Sequence, residues 1–172
     1  VNKTMYDLLI ENSELHECIT HLGKNLDLLP ASDNLADANK ILTQEVEGEF
    51  VLRNKLSKLS GYDYVIIDCQ PAINALTLNA LLYADEVIIP SATDILSFEG
   101  LKKMIKSVKK INSNYDHNLK ITKIVPTMHD SRSKICKKVL KDMQNEFYEI
   151  VSDPIRVNSK LKEAPLAKKS IF

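Results

Sequence analysis

The sequence predicts an α/β protein with a doubly wound, mainly parallel sheet and helices on both faces. Short β-branched apolar runs recur along the chain at 64–68, 86–89 and 121–125. Stretches with apolar residues at helical spacing separate these runs. Strands that alternate with helices form right-handed βαβ units, whose strands are buried on both faces of the sheet. No apolar run approaches the roughly 20 residues of a membrane span.

The first sixty residues contain start and stop signals for short elements. Thr4 is a suitable N-cap for a helix that ends at Leu9, and Ser13 for a second helix through Leu22. The other elements predicted here are a strand at 26–29, a helix at 32–42 and a helix at 46–59 that Gly61 ends.

The clearest strand pattern is the run from Tyr64 to Ile67, which ends in Asp68. A helix at 76–83 leads to a second run that Pro90 closes. The remaining predicted elements are a helix that Ser97 caps and that reaches 111, a strand at 121–125, a helix at 133–147 and a short strand at 148–151.

Composition indicates one soluble domain over residues 1–172. The hydrophobic content is 44% and the charged content 27%, as in ordinary globular proteins. The three cysteines, Cys18, Cys69 and Cys136, are odd in number and have no metal-site spacing. They favour reduced thiols and a cytoplasmic location over a disulfide framework or a zinc site.

The net charge of zero results from two opposite halves. Residues 1–100 carry 6 Lys/Arg and 16 Asp/Glu, whereas residues 101–172 carry 17 and 7. The stretch from Lys102 to Lys141 contains 12 basic residues and only two acidic ones, and most of the basic residues lie on the outward faces of two predicted helices. This segregation indicates a surface for a polyanion, although two solvated surfaces without a partner explain it equally well.

Asp68 is the first candidate site residue. Ligands of open parallel sheets bind at the carboxyl ends of strands, where this carboxylate is predicted to lie. A Walker B element uses such a carboxylate to hold Mg²⁺, usually through water. An Asp also commonly ends a strand as a turn or cap residue, and the isolated pattern favours that structural role.

Separate short motifs extend over nearly the whole chain. They are YDLL at 6–9, NLDLLPA at 25–31, DYVIIDCQP at 63–71, LNAL at 78–81, ADEVIIP at 84–90, EGL at 99–101, TM-x-D-x-R at 127–132, and Asn158 followed by EAP at 163–165. Together they closely resemble the ParA family of chromosome and plasmid partition ATPases.

The resemblance implies a function, cofactors and partners. It implies an ATP-dependent dimer that binds nucleoid DNA non-specifically, is discharged by a ParB-like centromere-binding protein and does not bind membranes. ATP or ADP and Mg²⁺ are the implied cofactors. The implied roles are Mg²⁺ binding for Asp68, nucleotide binding for Thr127, Asp130, Pro154 and Asn158, and DNA binding for Arg132 and Lys160.

One motif of that family has no counterpart in the sequence. Its deviant Walker A loop is glycine-rich and carries two lysines, and its backbone amides cradle the phosphates. The glycines of this chain, at 23, 48, 61 and 100, are too far apart for such a loop. The matches begin about where the family's first βαβ unit would end, and its C-terminal helix also has no match. We therefore expect this chain alone to bind ATP weakly or not at all and to be inactive as an ATPase.

Two alternatives to a partition ATPase follow from these departures. The first is a truncated, non-catalytic ParA-like module that binds DNA or a partner protein. The second is a MinD-like positioning ATPase, which reaches membranes through a C-terminal amphipathic helix that the sequence does not show.

Overall fold

The computed structural model describes residues 3–168, 170 and 171, and only the backbone of Lys162. The chain forms two compact units, Val1–Ala84 (the first unit) and Asp85–Phe172 (the second unit). The first unit carries 6 basic and 12 acidic residues, and the second carries 17 and 11. Among the described residues, no helix is long and apolar enough to cross a membrane. A single domain over 1–172 stays a prediction.

The first unit is built from short helices and one hairpin. Its core contains Leu8, Leu42, Leu52 and Leu56, which are at most 5% exposed. The elements are α1 (Met5–Leu9), α2 (Leu15–Cys18), β1 (Thr20–Gly23), β2 (Leu26–Leu28), α3 (Leu35–Gln44), a 3₁₀ turn (Gly48–Phe50), α4 (Val51–Lys55) and α5 (Ala75–Tyr83). The prediction that a helix begins after Thr4 is confirmed.

Two predicted helices of the first unit are shorter than expected. The helix predicted over 13–22 ends at Cys18, because Thr20–Gly23 pairs antiparallel with β2 instead. His21 Nδ1 and Asp27 Oδ1 lie 2.6 Å apart across this hairpin, a contact that helical spacing does not reveal. The helix predicted over 46–59 is divided into the 3₁₀ turn and α4.

Asn79 joins three elements of the first unit. Its side chain, which is 1% exposed, accepts a hydrogen bond from Leu52 N and donates to the carbonyls of Gly48 and Ala75. Gly48 passes so close to the Leu42 carbonyl that a Cβ atom would lie 1.9 Å from its oxygen. Asn79 therefore satisfies backbone groups that would otherwise be buried without partners.

The prediction of a strand from Tyr64 to Asp68 is wrong. The segment has no regular secondary structure and pairs with no strand among the described residues. Tyr64 is 85% exposed and Ile66 is 92% exposed. A β-branched run favours extended backbone, but a strand also needs a neighbour for its amide and carbonyl groups. That neighbour is absent from the described part of the first unit.

The second unit is built around a parallel β3–β4 pair. Its elements are β3 (Glu86–Ala92), α6 (Ile95–Tyr115), β4 (Lys120–Thr127), α7 (Lys134–Glu146) and α8 (Ser159–Glu163). The pair runs from Glu86 opposite Lys120 to Ala92 opposite Thr127, and α6 is the crossover. Apolar residues of α6 and α7 form the core with Ile89 and Ile124. The α/β class with a parallel sheet is confirmed, and this sheet is two strands wide within the described residues.

Three boundaries in the second unit differ from the predictions. β3 continues past Pro90 to Ala92. Proline has no backbone N–H to donate, and an edge strand tolerates this because one of its two edges pairs with no other strand. Asp94, not Ser97, caps α6, and its carboxylate accepts from the Ser97 amide. The strand predicted at 148–151 is reduced to a single bridge between Val151 and Ile124.

The exposure of Ile66 generates a stability prediction. Ile66→Ser should change the free energy of unfolding by no more than about 0.5 kcal/mol, as expected for a surface site. Leu8→Ala, at a site that is 1% exposed, should cost about 2–5 kcal/mol. Urea unfolding of both variants is the measurement. An equal loss for the two variants would show that the segment is packed in solution.

Candidate functional site

Asp68 lies at the end of the unpaired segment in the first unit. Its carboxylate is exposed and makes no hydrogen bond or ion pair with the described residues. The residue lines a cavity of about 480 Å³ whose walls are mostly apolar, with contributions from Leu28, Leu52 and Leu76. The described residues contain no group of three or more His, Cys, Asp or Glu that could hold a metal.

The surroundings of Asp68 fit one kind of metal binding. Mg²⁺ retains several waters and commonly takes only one or two carboxylates, with phosphate oxygens as further ligands. Asp68 offers one accessible carboxylate, which suits a water-mediated contact and does not form a metal site by itself. The donor set therefore fits Mg²⁺ that arrives with a nucleotide.

Of the four residues predicted to bind nucleotide, one ends β4 and the other three follow it in the chain. Thr127 ends β4, and its carbonyl accepts from Thr93 N at 3.2 Å. The segment at 150–157 runs beside β4 and the following loop through backbone hydrogen bonds. These bonds join Ile124 N to Ile150 O, Ser152 N to Ile124 O, Ile155 N to Pro126 O, His129 N to Ile155 O, and Val157 N to His129 O. The structure therefore places Thr127 and Asp130 on one segment and Pro154 and Asn158 on its neighbour.

Asp130 and Arg132 bind each other. Arg132 donates from Nε to Asp130 Oδ1 and from Nη2 to Oδ2, both at 3.1 Å, and its amide also donates to Oδ1. The guanidinium lowers the pKa of the Asp130 carboxyl below its ordinary value. The Arg132 side chain is nevertheless 90% exposed, so it is accessible to a second anion.

Asn158 and Lys160 lie at the start of α8. The Asn158 side chain accepts a hydrogen bond from Lys160 N at 2.9 Å and so caps this helix. Lys160 is exposed. The Asn158 oxygen already has a structural partner, which leaves its amide nitrogen for another ligand.

The predicted basic face is present on α6 and α7. Eight of its lysines are exposed, namely Lys103, Lys106, Lys109, Lys110, Lys134, Lys137, Lys138 and Lys141. The two helices are in contact, and the ring of Phe98 in α6 packs edge to face against that of Phe147, the C-cap residue of α7, with 6.5 Å between centroids. Lys102 is different: its ammonium contacts Glu99 at 3.2 Å and Glu146 at 3.5 Å and lies 4.3 Å from the Phe98 ring centroid.

Two polar residues that follow the carboxyl ends of β3 and β4 are buried, which was not predicted from the sequence. Thr93 is 2% exposed and His129 is 6% exposed. Within the described part of the chain, Thr93 Oγ1 and His129 Nδ1 have no hydrogen-bond partner of good geometry. Sequence predicted His129 only as a loop residue of the TM-x-D-x-R element, and no sequence signal distinguishes Thr93.

The chain is similar to a known family model and to known chromosome-partitioning proteins. Residues 1–121 match the family model described as an AAA domain. The chain is 36% identical over 165 residues to the chromosome-partitioning ATPase Soj of Treponema pallidum, covering 94% of this chain and 65% of that protein. It is 31% identical over 175 residues to the sporulation initiation inhibitor protein Soj of Bacillus subtilis, covering 100% and 69%. The chain belongs to the ParA family, and it spans about two thirds of the length of these relatives.

Solved structures agree with this assignment. A plasmid partition protein from Borrelia burgdorferi matches with a TM-score of 0.79 at 26% identity, over 91% of this chain and 65% of that one. A cobyrinic acid a,c-diamide synthase from Mycobacterium smegmatis, with bound ADP and magnesium, matches with a TM-score of 0.80 at 26% identity, over 97% and 74%. A second structure of that synthase contains an ATP analogue and magnesium.

The Asp130–Arg132 contact predicts a titration shift. Arg132→Gln should raise the pKa of Asp130 toward its ordinary value, because it removes the two guanidinium hydrogen bonds to the carboxylate and leaves only the one from the backbone amide. The Arg132 contact therefore stabilises the loop above the pKa of Asp130, and that contribution is lost as the pH falls through it. Carboxyl-carbon NMR titration measures the change. Arg156→Gln on the neighbouring segment is the control, and an equal shift there would contradict the assignment.

Proposed function

We propose that this chain is part of a ParA-type partition ATPase and that its second unit carries the surface for non-specific DNA. The observation that carries the proposal is the lysine face of α6 and α7 in a chain that belongs to the ParA family. ATP-dependent segregation of DNA is the corresponding function of the complete protein.

The composition of the lysine face favours phosphate contacts over base recognition. Its exposed positions are lysines, and aromatic side chains that could stack on bases do not interleave with them. Phosphate contacts supply affinity without sequence information. Lys102 is not part of the lysine face, because Glu99 and Glu146 already neutralise its charge.

Arg132 and Lys160 extend the proposed DNA surface toward the carboxyl end of β4. Both are exposed, and each follows a residue proposed to bind nucleotide, Asp130 in one case and Asn158 in the other. A nucleotide that contacts the Asp130 carboxylate or the Asn158 amide would therefore act next to a DNA-binding side chain. This proximity is a physical route by which nucleotide binding could change DNA affinity.

The proposed nucleotide chemistry uses a small set of residues. Asp68 would hold Mg²⁺ through water, while Thr127, Asp130, Pro154 and Asn158 would border the base. When bound, ATP supplies the phosphoryl group whose transfer to water drives the cycle. A homodimer, a ParB-like partner and a nucleoid location belong to the same proposal.

A non-catalytic binding module is the second candidate function. The spacing of the four glycines favours it, because no two of them can form one phosphate-cradling loop. In that case the chain would bind DNA and would not respond to nucleotide. The salt titration and the calorimetry below distinguish such a module from a partition ATPase.

A salt titration tests the DNA surface. Binding of this chain to duplexes of unrelated sequence should be equal and should weaken with salt, with a log–log slope of about −0.9 for each phosphate neutralised. Arg132→Glu combined with Lys160→Glu should weaken binding and make the slope shallower by up to about 1.8, since two phosphate contacts are lost. Fluorescence anisotropy is the measurement.

The matched control changes the same charge in the first unit. Lys24→Glu combined with Lys58→Glu alters two exposed lysines and the net charge equally. If the control weakens binding as much as the test variant, net charge alone governs affinity and the proposed surface is wrong.

Calorimetry with Mg-ATP tests the nucleotide proposal. This chain should bind with a dissociation constant of about 1 mM or weaker, because no glycine-rich lysine loop contributes amide and ammonium contacts to the phosphates. Asp68→Asn should remove the Mg²⁺ dependence of any binding that is seen, whereas Asp63→Asn in the same segment should not. A micromolar constant, or equal effects of both variants, would contradict the proposed roles.

A further inference from the structure

The unpaired segment, Tyr64–Asp68, combines exposed apolar side chains with a backbone that belongs to no ladder. Tyr64, Val65 and Ile66 are exposed. Within the described part of the chain, no backbone-to-backbone hydrogen bond involves this segment. A neighbouring strand makes two kinds of contact, hydrogen bonds along one edge and packing between facing side chains. The segment offers the groups for both.

An apolar cavity adjoins the unpaired segment. All five residues of the segment line the cavity of about 480 Å³ in the first unit, together with leucines of β2, α4 and α5, among them Leu28, Leu52 and Leu76. Side chains of a strand point alternately to its two faces. One set of side chains on a strand that pairs with the segment can therefore enter this cavity and lose contact with water, which favours binding.

Two carboxylates bracket the apolar run. Asp63 precedes it and Asp68 ends the segment, and both residues are exposed. Neither carboxylate contacts a basic side chain among the described residues. Opposite charges on neighbouring strands attract, whereas like charges repel. A strand with lysine or arginine at its two ends therefore fits this segment better than an acidic or uncharged strand.

The described ladders of the chain do not supply such a strand. The other two β-branched runs, at 86–89 and 121–125, are already paired with each other in β3 and β4. The unpaired segment of a second copy has the wrong charges. With the two apolar runs in full overlap, Asp63 meets either its own counterpart or Asp68 of the other copy, and each contact joins like charges. The occupant that remains is a strand of a different protein.

We propose that the unpaired segment and its cavity bind a β-strand of a different protein, with an apolar run of about five Val or Ile residues between Lys or Arg residues. The two backbones form a ladder, apolar side chains of one face fill the cavity, and the basic ends contact Asp63 and Asp68. Strand addition of this kind gives affinity through the main chain and specificity through side-chain pockets. The site lies in the first unit and requires neither DNA nor nucleotide.

Fluorescence anisotropy with a synthetic peptide tests the site on the whole chain. The probe alternates Val and Ile over five positions and has two lysines at each end. Mg²⁺ is left out, because Asp68 is also the proposed Mg²⁺ residue. A matched peptide with proline at the central position should bind at least about tenfold more weakly, because proline cannot donate to a ladder. A peptide with glutamates in place of the lysines should bind at least about threefold more weakly. Absence of binding, or equal affinity for the lysine and proline peptides, would overturn the proposal.

Variants at exposed positions test which residues form the site, with urea unfolding as the check on folding. Ile66→Asn should weaken binding of the lysine peptide at least about fivefold, because it removes apolar surface from the contact. Val46→Asn changes another exposed apolar residue of the first unit and should leave the affinity unchanged. Asp63→Asn combined with Asp68→Asn should abolish the preference for lysine over glutamate ends. Equal losses for the two single variants, or an unchanged preference in the double variant, would contradict the assignment.

Hydrogen exchange and sedimentation identify the mode of binding. The amides of 64–67 should exchange at least about threefold more slowly with the lysine peptide bound, whereas those of α6 should be unchanged. Sedimentation velocity of the chain alone tests a second copy as the occupant. A dimer that forms with the wild-type chain and not with Ile66→Asn would show self-association at this site and overturn the proposal, as would unchanged exchange. Each outcome is independent of the DNA titration.

Discussion

The parallel pairing of β3 with β4 is the constraint on which the rest of the second unit depends. The ladder brings Ala92 opposite Thr127, so the loops that follow the two strands begin side by side. Thr93 then binds the Thr127 carbonyl, and the segment at 150–157 attaches to β4 and its loop. These bonds hold together the two segments that carry Asp130 and Pro154. A slip of one residue would turn the buried side chain of Ile124 out of the core.

Much of this unit was predictable because its signals are local. The apolar positions of α6, including Phe98, Leu101 and Ile105, are buried as their helical spacing predicts. The helix predicted over 133–147 is present as α7, and Ser133 is its N-cap, because a short polar side chain before an apolar-periodic run satisfies the first amides. The exposure of the lysines on both helices follows from the same periodicity.

The failures concern contacts between residues that are distant in sequence or depend on loop conformation. β1 replaces a predicted helical turn because His21 and Asp27 meet across a hairpin. Asp130 and Arg132 were predicted to serve different ligands, yet the loop conformation, with a positive φ of 50° at Met128, accompanies a direct contact between them. Lys102 has the sequence signature of a solvated lysine, but its partner Glu146 belongs to another helix. Spacing along one helix cannot reveal such a partner.

The sequence of the unpaired segment, Tyr64–Asp68, would determine its register against a neighbouring strand in an unusual way. In most half-buried strands, a shift of one residue exchanges apolar for polar side chains, and this penalty fixes the pairing. Here Tyr64 and Ile66 alternate with Val65 and Ile67, so both faces are apolar and a shift costs little in hydrophobic burial. The charged residues at its two ends, Asp63 and Asp68, are then what distinguishes one alignment from another, since neither carboxylate can enter an apolar layer without loss of hydration. In such a sheet the acidic ends would therefore specify the register, and the apolar middle would contribute hydrophobic burial without specifying it.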